Sequence, residues 1–143
     1  MRGLLADVHL QGHLPYLRSL IDELDLGSVL AELELELATF PDIPLDPSLD
    51  DRSLWNHCQR EGWVLFTENR RADDPNSLQA TLADSWKPGC LPVLTLANKT
   101  RFEHSPAYAK LVATHVAEVL FDIQVGLGYI SNDQPRIYVP RKA

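Results

Sequence analysis

Cysteine is scarce in this chain. Cys58 and Cys90 are the only two, too few for a disulfide scaffold, and no Cys-x-x-Cys or mixed Cys/His zinc spacing occurs. Both lie in apolar surroundings, which predicts two buried thiols. Long apolar runs are also missing. None reaches the roughly 20 residues that a bilayer-spanning helix requires, so no membrane association is expected. The opening Leu4-Leu5-Ala6 run meets Asp7, an acid that would interrupt a signal peptide, so no export signal and a cytoplasmic location are expected. Positive charge is outnumbered: 13 Lys and Arg stand against 20 Asp and Glu, a net charge of −7. That opposes nucleic-acid binding over the whole surface, because such binding draws on Lys and Arg displacing counterions. It leaves room for a small basic patch beside an acidic, metal-neutralised site, and it suits a basic protein partner. No G-x-G-x-x-G or Walker loop is present, which argues against a nucleotide cofactor, and no G-x-S-x-G elbow is present either.

What is there is an alternation of strand and helix signals in a chain of 143 residues, a length that fits one domain. Leu4–Val8 reads as a buried first strand. Leu14, Leu17, Leu20, Ile21 and Leu24 recur at helical spacing over His13–Leu24, with Pro15 in the first turn. Ser28 is placed to cap a second, short helix. Leu33–Leu37 alternates with Glu and predicts a half-exposed strand, although Glu and Leu are also good helix formers. After the proline-rich connection Pro41–Pro47, a helix runs from Ser48 to Gly62, capped by Ser48 or Asp50. Trp63–Thr67 is a buried strand, Glu68–Asn76 a polar loop, Ser77–Trp86 a helix and Leu91–Leu96 a further strand. The longest helix opens at Ser105-Pro106 and ends near Val125, before Gly126. Leu111, Val112, His115, Val116, Val119, Leu120 and Ile123 form its apolar face, with His115 as a core or interface histidine. Ile137–Val139 is a last strand, and Arg136, Arg141 and Lys142 read as solvated. This order predicts an α/β three-layer sandwich with a mostly parallel, Rossmann-like central sheet. Ligands in such sheets bind beyond the carboxyl ends of the strands, which singles out Asp7, Thr67–Asn69 and Thr95–Lys99.

Three stretches then share an order and spacing with a known group. Leu5-Ala6-Asp7-Val8-His9-Leu10 stands where its members read Leu-Ala-Asp-Glu-Asn-Leu. Asp51-Arg52-Ser53-Leu54-Trp55-Asn56-His57-Cys58 matches their helix opening Asp-x-x-[Ile/Leu]-[Leu/Trp]-x-x-Ala or Cys. Gly62 and Trp63–Phe66 lead into Thr67-Glu68-Asn69-Arg70-Arg71-Ala72-Asp73, against Gly, a hydrophobic strand and Thr-x-Asp-Lys-Asp-Phe. Over residues 4–100 the chain resembles the PIN-like nuclease superfamily, in particular its small bacterial branch of toxin-like domains. It departs from that pattern at His9 and at Asn69, which replaces the third acid.

The resemblance implies a single PIN-like domain over 1–143 that hydrolyses RNA with Mg²⁺ or Mn²⁺ held by clustered carboxylates. Hard divalent cations prefer oxygen ligands, acidify a bound water and offset phosphate charge. Asp7, Asp51, Asn69 and Asp73 are the catalytic candidates, with Asp7, Asp51 and Asp73 on the metal, and Thr67 and His13 in support. Each acid also has a plain structural reading. Asp7 could cap the next helix, Asp51 could cap its own helix or pair with its dipole as Asp50 equally could, and Asp73 and Asp74 could be a solvated turn. Asn69 could coordinate through its amide oxygen or hold a backbone turn. His9 and His13 are four apart, but a zinc site lacks Cys or HExxH support. Arg70 and Arg71 are candidates for phosphate binding, or else loop surface charge. A haloacid dehalogenase needs a second acid at His9, and a response-regulator receiver needs paired acids there. Two functions remain in view: a toxin-like, metal-dependent endoribonuclease with a degenerate acidic site, or an inactive PIN-like module that binds RNA or an antitoxin-like protein. The resemblance also implies a homodimer.

Overall fold

The computed structural model describes residues 1–70, 74–126 and 134–141, so the candidates Arg71 and Asp73 lie outside it. Five strands, β1 (Gly3–Ala6), β2 (Glu36–Ala38), β3 (Trp63–Thr67), β4 (Val93–Leu96) and β5 (Arg136–Val139), form one sheet in the order β2-β1-β3-β4-β5. Every pairing is parallel, with Leu5 beside Leu65, Thr67 beside Thr95 and Thr95 beside Tyr138. The result is the expected three-layer, Rossmann-like α/β sandwich. One face carries Leu4, Ala6, Val64, Phe66, Leu94 and Leu96 against α1 (Leu14–Glu23), α5 (Lys99–His104) and α6 (Pro106–Val125). The other carries Leu5, Leu65 and Val93 against α3 (Asp51–Glu61) and α4 (Leu78–Ser85). Strand residues bury both faces, which is why these segments read as continuous apolar runs. Among the described residues no helix is long and apolar enough to cross a membrane.

Local chemistry sets most element ends. Gly62 ends α3 in the left-handed region at φ 83°, and Gly126 ends α6 at φ 76°. Ser77 and Ser105 cap α4 and α6 by accepting from Ala80 N–H and Tyr108 N–H. Gly3 has φ 147°, and a side chain there would run into the backbone of Glu36, its partner in β2.

Several expectations are corrected. Ser28 does not cap the second helix; α2 (Gly27–Glu32) starts after Leu26, and Ser28 lies inside it. The alternating Leu33–Leu37 is strand only from Glu36, because α2 ends at Glu32 and Glu34 turns the chain at φ 58°. Glu36 then meets Gly3 in the sheet. Helix α5 was not expected: it follows Asn98, whose side chain accepts from Arg101 N–H. On α6, Val112, Val116, Val119 and Leu120 are buried as expected, but Leu111 is 46% exposed and His115 and Ile123 are half-buried, and Ala109, Ala113 and Ala117 complete the buried stripe. Of the two thiols, Cys58 is buried and Cys90 only half-buried.

The start of α3 resolves a choice that matters for the site. Asp50, not Ser48, is the cap, accepting from Ser53 N–H at 2.7 Å. The Ser53 hydrogen bonds, with a smaller contribution from the Arg52 charge, hold the Asp50 carboxyl below its usual value of 3.8. A carboxylate depressed on folding stabilises above its unfolded value, and the contribution is lost as pH falls through the lower folded value. Asp50→Ala is therefore expected to lower the melting temperature by a few degrees at pH 7, and Asp50→Asn to preserve it. Melting curves taken from pH 7 to below pH 4 should show wild type and Asp50→Asn diverging only at the acid end.

Candidate functional site

The sheet changes winding direction between β1 and β3, and at such a switch point the strand ends leave a crevice. Asp7 and Thr67 stand there side by side. Asp7 follows β1, its N–H donates to Phe66 C=O, and the residue is 8% exposed. Thr67 Oγ1 donates to Asp7 Oδ2 at 2.7 Å and accepts from Asn69 N–H at 3.0 Å. Asn69 Nδ2 in turn donates to Asp51 Oδ2 at 2.9 Å, and Leu78 N–H, the first residue of α4, donates to the same oxygen at 3.1 Å. Because Asp50 caps α3, the Asp51 side chain reaches across to this network. Asp7, Thr67, Asn69 and Asp51 are thus one hydrogen-bonded chain from three separate segments.

Its two acids have no cation at ion-pair distance among the described residues, although Asp51 and Arg136 attract each other across the site. Asp7 Oδ1 and Asp51 Oδ1 have no protein hydrogen bond among the described residues, and neither carboxylate forms an ion pair. A buried carboxylate with one neutral partner is costly, and a cation relieves that cost. Burial first, and then the nearby Asp7 charge, push the Cys58 thiol up to about 12, so it is no nucleophile.

Arg136, expected to be solvated, is half-buried in the site. It donates from one terminal nitrogen to Asn69 C=O at 2.8 Å and Thr95 Oγ1 at 2.7 Å, and from the other to Gln79 Oε1 at 3.1 Å. Its pKa is lowered chiefly by burial and also by the Arg70 charge, while Tyr138 and Asp51 oppose the shift. The basic composition of the final segment hid its role; the signal available was an Arg opening a strand. Arg70 donates to the carbonyls of Leu96 and Ala97, and its guanidinium lies over the Tyr138 ring, 5.2 Å from the centroid. Glu68 pairs with Lys99 at 3.4 Å.

Other candidates fall elsewhere. His13 is not joined to the acids: it pairs with Glu103 at 3.2 Å and packs beside Phe102. His9 is exposed. Asp74 accepts from Asn76 N–H at 2.8 Å, the turn role foreseen for it. His115 is half-buried and accepts through Nδ1 from Arg141 N–H.

Asp7 and Asp51 each keep an oxygen without a protein hydrogen bond among the described residues, and Mg²⁺ is a cation commonly held by one or two carboxylates with water completing its shell. No three His, Cys, Asp or Glu side chains converge as a metal-binding group among the described residues. Comparison with family models, curated proteins and solved structures found no match to this chain.

Proposed function

We propose that this chain is a PIN-like, metal-dependent ribonuclease of low intrinsic activity, with Asp7 and Asp51 as its metal-binding carboxylates. The observation that carries the reading is the Asp7–Thr67–Asn69–Asp51 network, which leaves both acids an unpartnered oxygen at a sheet switch point. When bound there, Mg²⁺ or Mn²⁺ supplies an acidified water and offsets phosphate charge. Thr67 orients Asp7 by donating to it, and Asn69 orients Asp51. Arg136 binds the phosphate, its charge being free of a carboxylate at ion-pair distance among the described residues.

A second reading, RNA binding without cleavage, is favoured by one detail. Asn69 presents its amide to Asp51 as a donor, which neutralises the position where a third acid would draw in a metal. One assay separates the two. Labelled single-stranded RNA incubated with the protein and millimolar Mn²⁺ is expected to yield slow cleavage that EDTA abolishes. Bound but intact RNA across a wide Mn²⁺ range would select the binding module.

A further inference from the structure

Among the described residues, no helix covers the β5 edge of the sheet face that carries α3 and α4. Arg136 and Tyr138, two apart on β5, project to that face, where Thr95 and Thr67 also lie. Tyr138 is 45% exposed. Arg70, Ala97, Arg136, Tyr138, Pro140 and Arg141 border one groove along this edge.

Three arginines in one groove are notable in a chain of net charge −7. None of them has a carboxylate within ion-pair distance among the described residues. Arg136 and Arg70 give their hydrogen bonds to neutral acceptors, and Arg136 Nε is buried without one. Arg141 is exposed, and its backbone is tied to α6 through His115 Nδ1, which fixes where its side chain starts. Concentrated unneutralised cations call for an anion. The Arg70–Tyr138 pair adds a second requirement, because a guanidinium lying over an aromatic ring at an exposed edge presents planar groups that favour a planar ligand. Phosphate joined to a flat heterocycle satisfies both, and an acidic peptide satisfies only the first. A single exposed ring can stack only on a base that is already unstacked, which points to a single strand.

We infer that the β5-edge groove binds a nucleotide of single-stranded RNA, with Arg136 and Arg141 on its phosphate and its base stacked on the Arg70–Tyr138 pair. This rests on the ribonuclease reading, since Arg136 also touches Asn69 and so joins the groove to the acids. The strand runs from β5 toward the crevice between β1 and β3.

The test is fluorescence anisotropy with a labelled single-stranded RNA of about ten nucleotides, a length near one binding-site size, at low salt and in EDTA. The full chain is expected to bind it. Tyr138→Ala should weaken binding about tenfold, and Tyr138→Phe, which keeps the ring, should leave it unchanged. Arg141→Ala should reduce the slope of log affinity against log salt by about 0.7. An unchanged melting temperature in Tyr138→Ala shows that the loss is one of stacking. No binding, equal binding by Tyr138→Ala, or displacement by poly-glutamate as readily as by unlabelled RNA would each overturn the groove. Because EDTA removes cleavage from the measurement, a failed groove leaves the Mn²⁺ assay intact. Absence of cleavage equally leaves the anisotropy result standing.

Discussion

Asp7→Asn should lower metal-dependent cleavage about 100-fold or more while leaving the metal-free protein as stable as wild type or more so. The two effects have one cause. Asp7 is a buried residue whose only side-chain partner among the described residues is the Thr67 hydroxyl. Removing its charge relieves a desolvation cost, and an amide of the same shape can still accept from Thr67 Oγ1. The same change removes the ligand that would hold a divalent ion, so the rise in melting temperature with millimolar Mn²⁺ should vanish. Thermal melts with and without Mn²⁺, run beside the cleavage assay, read both effects. If Asp7 were a structural cap, the variant would instead lose about 1–2 kcal/mol without metal. A clear drop in metal-free stability with an unchanged response to Mn²⁺ would remove Asp7 from any metal site.

Asn69→Asp should act in the opposite sense. Without metal it replaces the Asn69 Nδ2 donor, 2.9 Å from Asp51 Oδ2, by a second carboxylate oxygen. Two charges about 4 Å apart repel by about 4 kcal/mol at an effective dielectric of 20. Asp51 and Asn69 are both half-buried, so solvent reduces this, and a loss of about 2 kcal/mol is expected. For a chain of this size that corresponds to roughly 4–10 °C in melting temperature. Packing barely changes, because the two side chains are nearly equal in size. Millimolar Mn²⁺ should restore the loss and raise stability beyond the wild-type response, since a third carboxylate now faces the ion. Cleavage should rise with it. A variant that melts like wild type with and without Mn²⁺ would show that Asn69 faces no metal, and the match of Thr67–Asp73 to a nuclease motif would carry no chemistry.

The elements that sequence reading located well are those bounded by local chemistry. Trp63–Thr67 was delimited to the residue because five apolar or β-branched residues follow Gly62. Pro106–Val125 was delimited by Ser105, Pro106 and Gly126, whose effects act within one turn. Failures came where distant segments decide. The alternating Leu33–Leu37 satisfies strand and helix equally, and only pairing with Gly3 sets where β2 begins. Asp50 and Asp51 are adjacent acids at one helix start, and either could cap it. The structure assigns the cap to Asp50 because Asp51 faces Leu78 N–H, 27 residues away in sequence. Arg136 read as part of a solvated tail because its partners, Thr95 and Asn69, are 41 and 67 residues distant.

By itself, then, the sequence determined most of the alternation of strands and helices, the helix ends marked by Ser105, Gly62 and Gly126, and the placing of Asp7 and Thr67 at strand ends. Apolar periodicity and capping are properties of neighbouring residues, so they need no knowledge of the rest of the chain. The tertiary structure alone decided that Thr67 and Asn69 join Asp7 to Asp51 and that Arg136 stands beside them. A charged side chain's partner depends on strand order and register, and a parallel sheet brings together residues tens of positions apart that no local pattern relates.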